Sequence, residues 1–547
     1  FGNEVNRYYL NKVRKIYADE RRKITFLRTE KQALDYVKKI KEKVRSCFQF
    51  PNTKCLLNPV ITGKISNKFC NAEKLYFFSR PGYPVTAVFF LPKKNSGKLP
   101  AVLFVCGHAA DGKANRNYQT ACISLVKKGF AVLAVDPIGQ GERISLVGRG
   151  FPEFNWKSCC HEHNEEGKQL LLSGEWFGAW RTYDGIRAVD YLLTRPEVDP
   201  KRIGLTGNSG GGTLTTWINA VEDRLCMAAP SCYITTWRNN VENELPADVE
   251  QMPPAALSKG LEMADFLLAS APRPLLIMGQ KNDFFDHRGT LDTFRAVKHV
   301  YDLIGGKIEY FIGPVNHGYS LHNREAMYSF FTKNAFNKVT RSEGKVSIFS
   351  AEETWAAPHG NIANIPQYRS FRELESELAD QAVAERKRHS LSSLRKKIRN
   401  LIKPGKTFEP YYRVLRLRIA PDTINIFSRF GLETERGEIM SVLKQKSTDP
   451  VYFYHLSTRV KKILLYIPHL DSQEEMLNRK ILSDYQAVYG LDMRGIGEMT
   501  PCGCDQPTIR DFFNPYQFDF HYANLAFMLA SPMLGKRVHD ILCTVEL

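Results

Sequence analysis

Short apolar segments alternate with helical segments from about residue 99 onward. The segments 101–105 and 130–135 contain only apolar residues, which is typical of strands buried on both faces of a sheet. A helix predicted over 120–128 separates them and ends at Gly129. Further strands are predicted over 202–206, 274–278 and 307–312. This alternation predicts an α/β fold with a doubly wound, mostly parallel sheet covered by helices.

The sequence Gly207-Asn208-Ser209-Gly210-Gly211 lies between the strand predicted at 202–206 and a helix predicted from Thr213. A serine flanked by glycines at a strand-to-helix turn is typical of a nucleophile, because small neighbours permit the sharp turn that exposes its hydroxyl. The same pattern also occurs as a purely structural Gly-rich turn. The strand before it and the helix after it favour a nucleophile at Ser209.

A nucleophilic serine requires a base, and the base requires an acid that orients it. When the serine lies on such a turn, the acid comes next along the chain and the histidine comes last. Asp283 follows the strand predicted at 274–278, and His317 lies on a Gly-bounded loop after the last predicted strand. Asp286 is the alternative acid. We prefer Asp283 because it lies closer to the end of its strand.

The oxyanion of an acyl-transfer intermediate needs two backbone N–H donors. Gly210, the residue after the predicted nucleophile, is expected to supply one of them. The other is expected from the turn after the strand at 101–105, where the N–H of His108 is the first choice and that of Ala109 the second. The side chain of His108 is given no role beyond shaping this turn.

Two further residues are candidates for substrate binding. Trp180 could line a sugar-binding cleft, or could pack beside the helix predicted over 181–193. His163 belongs to the segment 159–163, Cys-Cys-His-Glu-His, which is interpreted as a loop at the rim of the site. The same segment could be drawn as a set of metal ligands, but no fourth ligand follows at a clear spacing. No metal site is predicted.

Several motifs together carry a resemblance to a known group of hydrolases. They are Gly107-His108, Asp136-x-x-Gly-x-Gly-Glu142, the helix with Asp184 and Asp190, Gly207-Asn208-Ser209-Gly210-Gly211, Gly279-x-x-x-Asp283 and Asn316-His317-Gly318. Residues from about 20 to 340 resemble the acetyl-xylan-esterase-like branch of the dienelactone hydrolase and prolyl oligopeptidase group, within the α/β-hydrolase superfamily. The resemblance implies hydrolysis of an ester on plant cell-wall polysaccharide, most often an acetyl ester. It implies no metal and no organic cofactor.

The C-terminal part of the chain repeats part of the same pattern. Two segments match earlier ones: 487–498 matches 131–142, and 538–542 matches 182–186. Both matches place the counterpart of Ser209 beyond Leu547, so no second nucleophile, acid or base is expected within this sequence. We therefore predict a partial, non-catalytic second α/β-hydrolase-like domain.

These observations predict four segments along the chain. They are an N-terminal helical segment at 1–65, a catalytic α/β-hydrolase domain at 66–340, a helical linker at 341–405 and the incomplete second domain at 406–547.

The formal net charge of +18 bears on the class of partner. The basic residues are spread along the chain and form no nucleic-acid-binding motif, so nucleic acid is not an expected partner. A basic surface can instead attract an acidic polysaccharide. No run of about 18 or more apolar residues occurs, and no membrane span is predicted.

The leading hypothesis is a serine esterase that removes ester substituents, most often acetyl groups, from plant cell-wall polysaccharide or its oligosaccharides. The alternatives are a methylesterase acting on the uronic-acid esters of pectin, a serine peptidase of the prolyl-oligopeptidase type, and a glycan-binding protein without catalysis. The chain begins at Phe1 and not at Met, as in a processed form. An extracytoplasmic location, secreted or periplasmic, is expected.

Overall fold

The computed structural model describes residues 1–94, 97–145, 159–245, 247–415, 427–446, 456, 461–478, 487–500 and 513–547. Two units are present. The large unit comprises residues 16–386, and the small unit comprises residues 1–15 and 387–547. The N-terminal helix α1 (Gly2–Thr25) belongs to the small unit up to Lys15 and to the large unit from Ile16.

A nine-stranded sheet forms the centre of the large unit, with the strand order β1-β2-β3-β5-β4-β6-β7-β8-β9. The pairs from β5 to β9 are parallel, whereas β1, β2 and β3 pair antiparallel with each other and β3 pairs antiparallel with β5. The strands are β1 (Val60–Ser66), β2 (Cys70–Arg80), β3 (Tyr83–Pro92), β4 (Leu99–Val105), β5 (Ala131–Val135), β6 (Val198–Asn208), β7 (Met227–Ser231), β8 (Leu275–Asn282) and β9 (Ile308–Asn316).

Helices connect the parallel strands of this sheet, as right-handed crossover connections require. The helices that follow α1 in the large unit are α2 (Glu30–Arg45), α3 (Arg116–Lys127), α4 (Cys159–Leu172), α5 (Phe177–Thr194), α6 (Gly210–Val221), α7 (Trp237–Glu242), α8 (Met263–Leu268), α9 (His287–Leu303), α10 (Leu321–Phe336), α11 (Ala351–Thr354) and α12 (Phe371–Ala384). Their apolar side chains pack on the sheet. Ile123 of α3 and Phe331 of α10, for example, share a fully buried cluster with Val102 and Phe104 of β4.

The topology of the large unit brings the predicted site residues to one edge of the sheet. Ser209 follows β6 directly, Asp283 follows β8 and His317 follows β9. These three strands run parallel, so their carboxyl ends lie at the same edge. Ligands and catalytic groups of open α/β sheets characteristically gather at this edge.

A five-stranded sheet forms the centre of the small unit, in the order β10-β11-β12-β14-β13. Only β13 and β14 pair in parallel, and the other pairs are antiparallel. The elements are β10 (Tyr412–Leu415), β11 (Phe427–Leu432), β12 (Ser441–Lys446), β13 (Ile463–Tyr466) and β14 (Ala487–Met493), with helices α13 (Leu391–Ile402), α14 (Ser472–Asn478), α15 (Phe513–Met528) and α16 (Met533–Glu546).

The sheet of the small unit repeats the first five strands of the large one, in the same order and with the same directions. Each unit also contains a buried ion pair between an aspartate on a helix and an arginine that follows β5 in the large unit or β14 in the small unit. Arg143 is 2.8 Å from Asp184 of α5 in the large unit, and Arg494 is 2.6 Å from Asp540 of α16 in the small unit. The small unit therefore has the strand arrangement of a partial α/β-hydrolase sheet.

The predicted segments map onto the two units as follows. The range 66–340 lies wholly within the large unit, whereas the ranges 1–65 and 341–405 are each divided between the units. Among the residues that the structure describes, no helix combines the length and the apolar character needed to cross a membrane.

Candidate active site

The turn between β6 and α6 holds Ser209 in a conformation that few non-glycine residues adopt, with φ 60° and ψ −122°. Such backbone strain is common at catalytic nucleophiles. The glycines on either side are required by close packing: a Cβ atom on Gly207 would lie 2.3 Å from the carbonyl oxygen of Val105, and one on Gly211 would lie 2.2 Å from the same oxygen. The serine hydroxyl is left partly exposed at the N-terminus of α6.

His317 links the serine to a carboxylate. Its Nε2 lies 2.8 Å from Oγ of Ser209, and its Nδ1 lies 2.8 Å from Oδ1 of Asp283. The Asp283 side chain is almost fully buried, while the imidazole is 23% exposed. A ring of Phe284 stacks on the imidazole with centroids 4.2 Å apart. In this arrangement the serine hydroxyl can donate to Nε2 while Nδ1–H donates to the carboxylate.

Asp286, the alternative acid, has a different role in the structure. Its carboxylate accepts hydrogen bonds from the side chains of Arg288, Asn239 and Asn243, and it caps the N-terminus of α9. The hydrogen bonds from Arg288 hold the pKa of Asp286 well below its usual range. The geometry therefore selects Asp283 as the partner of His317.

The N–H groups in the turn after β4 differ in whether a hydrogen-bond partner occupies them. Ala109 N–H donates to the carbonyl oxygen of Gly107 at 2.7 Å, so it is already occupied. Among the described residues, the N–H of His108 has no such partner. The N–H of Gly210 belongs to the first turn of α6, where helical geometry leaves donors unpaired. This leaves the N–H groups of His108 and Gly210 without a backbone partner among the described residues.

A buried charged group lies behind this turn. His108, His163, Asp248 and Glu250 each place one nitrogen or oxygen within 4.8 Å of the others, which is a set that could in principle hold a metal ion. The guanidinium of Arg181 contacts Glu250 and lies 3.3 Å from Nδ1 of His163. A fixed cation is therefore already paired with one of the two carboxylates, Glu250.

The two substrate-binding candidates are both buried in this structure. The indole of Trp180 is covered by the guanidinium of Arg80 at 4.0 Å and by the ring of Phe371 at 4.8 Å. His163 lies on α4, and its Nε2 is 2.9 Å from the carbonyl oxygen of Ile138 while its Nδ1 is 3.0 Å from Asp248. Neither ring has a free face toward the serine, so a direct contact with substrate would require rearrangement.

The structure adds Cys232 to the neighbourhood of the acid. Its sulfur lies within 4.8 Å of the Asp283 carboxylate and of the His317 ring. Burial, followed by the negative charge of Asp283, raises the pKa of Cys232 to about 12, so the thiol keeps its proton. This neighbour was missed from the sequence because β7 was not predicted. Cys232 directly follows that strand, which lies between those that carry Ser209 and Asp283. Near the oxyanion turn, Arg181 and Glu250 had no sequence signal, whereas Cys160 lies in the segment 159–163 and Gln140 in the motif from Asp136 to Glu142.

Comparisons with known proteins agree with the fold. The family model of acetyl xylan esterase (AXE1) matches residues 57–245. A solved structure of the methylesterase BT1017 superposes on 67% of this chain and 80% of its own, with a TM-score of 0.54 and 20% identity. At that identity the superposition shows the fold alone.

Two curated proteins of Bacillus subtilis (strain 168) match parts of the sequence. YtaP, which is named as a hydrolase, is 35% identical over 156 residues, which cover 27% of this chain and 47% of that protein. YuxL, named as an uncharacterised peptidase, is 30% identical over 171 residues, which cover 30% of this chain and 22% of that protein. The chain thus spans less than half the length of either relative. The large unit therefore has the sheet and the Ser–His–Asp arrangement of an α/β-hydrolase fold, and residues 57–245 within it match the acetyl xylan esterase family model.

Proposed function

We propose that the large unit is a serine carboxylic-ester hydrolase that removes ester substituents from a carbohydrate. One observation carries the proposal: the unbroken chain of contacts from Ser209 through His317 to Asp283, with both hydrogen-bonded distances at 2.8 Å. These three side chains lie at the carboxyl edge of the parallel strands, where the catalytic groups of open α/β sheets are found. The acetyl xylan esterase match over 57–245 supports the ester as the bond that is cleaved.

The proposed mechanism is acyl transfer through a covalent intermediate. Ser209 Oγ attacks the acyl carbonyl carbon while His317 Nε2 takes the hydroxyl proton. The carbonyl oxygen becomes an oxyanion that accepts hydrogen bonds from the N–H groups of Gly210 and His108. Collapse of this intermediate expels the alcohol, which receives the proton from His317 and leaves an acyl-enzyme. Water, activated by His317, then attacks the acyl-enzyme in the same way and releases the acid and the free serine. Asp283 holds the imidazole in one tautomer throughout.

An acetyl ester of a plant cell-wall polysaccharide is the substrate we favour, because of the family match. With such a substrate the sugar hydroxyl leaves first and acetate is released second. The second candidate is the methyl ester of a uronic acid, from which methanol leaves first. The net charge of +18 supports this candidate, because de-esterified stretches of such a polymer are anionic. The superposed structure is itself named a methylesterase.

A peptidase is a weaker alternative, since the peptidase relative is matched over only 22% of its length. A glycan-binding protein without turnover is weaker still, because binding alone gives no reason to keep a serine in strained geometry against an imidazole.

The resemblance also leads us to propose an extracytoplasmic location. Fractionation of the source cells tests it, and recovery of the protein solely with cytoplasmic markers would refute it.

The test is a parallel assay of p-nitrophenyl acetate, acetylated xylan, acetylated pectin, methyl-esterified pectin and a prolyl p-nitroanilide. Each is incubated with wild-type protein and with Ser209→Ala. We expect release of acetate from one polysaccharide, at a rate that Ser209→Ala reduces to background. Methanol release would select the pectin methylesterase, and p-nitroaniline release would select the peptidase. Equal inertness of wild type and variant on every substrate would contradict the proposal.

A further inference from the structure

The imidazole of His108 takes no part in the mechanism above, although its backbone N–H does. The ring lies directly against Gly210: a Cβ atom on that residue would lie 2.4 Å from Nε2 of His108. Only a glycine permits this approach. The ring is therefore adjacent to both oxyanion donors, because one donor is its own N–H and the other is the N–H of Gly210.

Both nitrogens of this ring are engaged. Nε2 is 2.7 Å from Oε1 of Glu250, and Nδ1 is 3.2 Å from the sulfur of Cys160. The side chain is only 15% exposed. Burial by itself lowers the pKa of His108, but the charge and hydrogen bond of Glu250 outweigh burial and raise the pKa to about 9. At neutral pH the ring is an imidazolium that donates to Glu250.

Charged and titratable groups from each neighbouring element face this imidazolium. They are Asp248 and Glu250 from the turn at 248–251, Cys159, Cys160 and His163 from α4, and Arg181 from α5. Burial raises the pKa of Asp248, but the contact with His163 and the nearby His108 and Arg181 outweigh burial and lower it to about 2, so Asp248 is a carboxylate at neutral pH. Glu250 thus lies between two cations, the His108 imidazolium and the Arg181 guanidinium, and its side chain is fully buried.

The same group of charges anchors the backbone of the oxyanion turn. Arg181 contacts Glu250 and donates to Oε1 of Gln140 at 3.0 Å. The amide nitrogen of Gln140 in turn donates to the carbonyl oxygens of Gly107 and, at 3.1 Å, of Ala109. These two carbonyls flank His108 on either side, so they fix the direction of its N–H group.

We propose that the His108 side chain is an electrostatic positioning residue of the oxyanion site. Glu250 fixes its ring against Gly210, and its positive charge stabilises the negative charge that develops on the substrate oxygen. A fixed charge close to a developing oxyanion is effective because the buried site screens it weakly. The inference rests on the proposed function, since it assigns the ring to the same acyl-transfer step.

The experiment compares His108→Gln with His299→Gln, using p-nitrophenyl acetate. Glutamine retains a hydrogen-bond donor toward Glu250 but carries no charge. His299 of α9 is the matched control, since its Nε2 is 3.0 Å from the carbonyl oxygen of Leu27. We expect His108→Gln to lower kcat about 10- to 100-fold with little change in KM, because the charge acts on the transition state. Binding of phenylboronic acid, which forms a tetrahedral adduct with the serine, should weaken in parallel. His299→Gln should change neither quantity.

The pH profile of the wild type is an independent readout that needs no variant. A histidine with a raised pKa keeps its charge below that pKa and loses it above, so kcat should fall as the pH rises through about 9. This decrease in kcat at high pH should be absent from His108→Gln. An active wild type with a flat profile from pH 7.5 to 10, or an unchanged kcat in a folded His108→Gln, would overturn the inference alone. A wild type without Ser209-dependent hydrolysis would overturn the proposed function as well.

Discussion

Oδ1 of Asp283 lies 2.8 Å from Nδ1 of His317, whereas the carboxylate of Asp286, three residues further on, is held by Arg288. These two acids, although close in sequence, have different roles. Asp283 follows β8 and contacts the imidazole of His317, whereas Asp286 caps the N-terminus of α9.

This separation predicts different effects of the same substitution at the two positions. Asp283→Asn should lower kcat about 10³- to 10⁴-fold, because the amide no longer holds His317 in the tautomer that accepts the serine proton. Asp286→Asn should change kcat less than about threefold, because asparagine is also a good helix cap. Steady-state kinetics on p-nitrophenyl acetate measure both. Equal losses in the two variants would contradict the assignment of the acid.

Gly207 is expected to be irreplaceable for packing reasons alone. A Cβ atom there would lie 2.3 Å from the carbonyl oxygen of Val105, a backbone atom of β4 that cannot move without disturbing the sheet. Gly207→Ala should therefore lower the free energy of unfolding by about 2–3 kcal/mol. Gly279→Ala is the control, since its Cβ would meet the end of the Ile312 side chain at 3.1 Å, and it should cost less than about 1 kcal/mol. Urea unfolding measures the free energy of unfolding of both variants. Similar losses of stability in Gly207→Ala and Gly279→Ala would refute the prediction.

Buried carboxyl groups near α8 make stability depend on pH. Burial raises the pKa of Glu262 to about 7 and that of Asp265 to about 6. Because the folded pKa values exceed the ordinary ones, the folded protein binds these protons more tightly than the unfolded chain does. The contribution to stability is therefore present at low pH and is lost as the pH rises through about 6 to 7. We expect the loss in unfolding free energy between pH 5.5 and 8.0 to be smaller in Glu262→Gln by about 1–3 kcal/mol. An identical pH dependence in the variant would count against this account.

The small unit should be stabilised by its buried ion pair independently of catalysis. Arg494 and Asp540 are both fully buried, and Asp540 also accepts a hydrogen bond from Thr434 at 2.5 Å. Asp540→Asn leaves the guanidinium with only the partly exposed Glu435, 3.4 Å away, as counter-charge and should cost about 3–5 kcal/mol. The pair of the exposed Arg413 and the partly exposed Glu433, 3.8 Å apart, provides a control in Glu433→Gln, with an expected effect below about 1 kcal/mol.

Calorimetry of the full chain measures the effect of these two substitutions. We expect Asp540→Asn to lower the temperature of one transition while kcat on p-nitrophenyl acetate at 25 °C changes less than about twofold. This expectation follows from the position of the triad, which lies entirely in the large unit. A loss of esterase activity that parallels the loss of stability would contradict it.

Much of the large unit could be predicted from the sequence because its strands are long, apolar and separated by clear turn signals. The predicted strands at 101–105, 130–135 and 202–206 correspond to β4, β5 and β6 within a residue or a few residues at their ends. Strand β7 was not predicted. Its sequence Met227-Ala-Ala-Pro-Ser contains small residues and a proline, which have weak strand preference, and only pairing with β6 and β8 fixes its conformation.

The triad residues could be predicted because each follows a strand within a recognisable loop. The buried partners of His108 could not. Glu250 lies in a short turn 142 residues away along the chain, and Arg181 lies on α5 with no distinguishing sequence context. Contacts between residues so far apart depend on how the connections fold over the sheet, and local pattern does not encode that. The burial of His163 was missed for the same reason, whereas packing was one of the two alternatives given for Trp180.

The most direct test of the central claim is the intact mass of the protein after reaction with a fluorophosphonate, which phosphonylates activated serines. The account predicts one adduct per chain, located by peptide mapping at Ser209 and prevented by Ser209→Ala and by His317→Gln. An adduct at another residue, or equal labelling of wild type and Ser209→Ala, would contradict the claim that Ser209 is the nucleophile. Absence of any adduct from folded wild-type protein would contradict it equally.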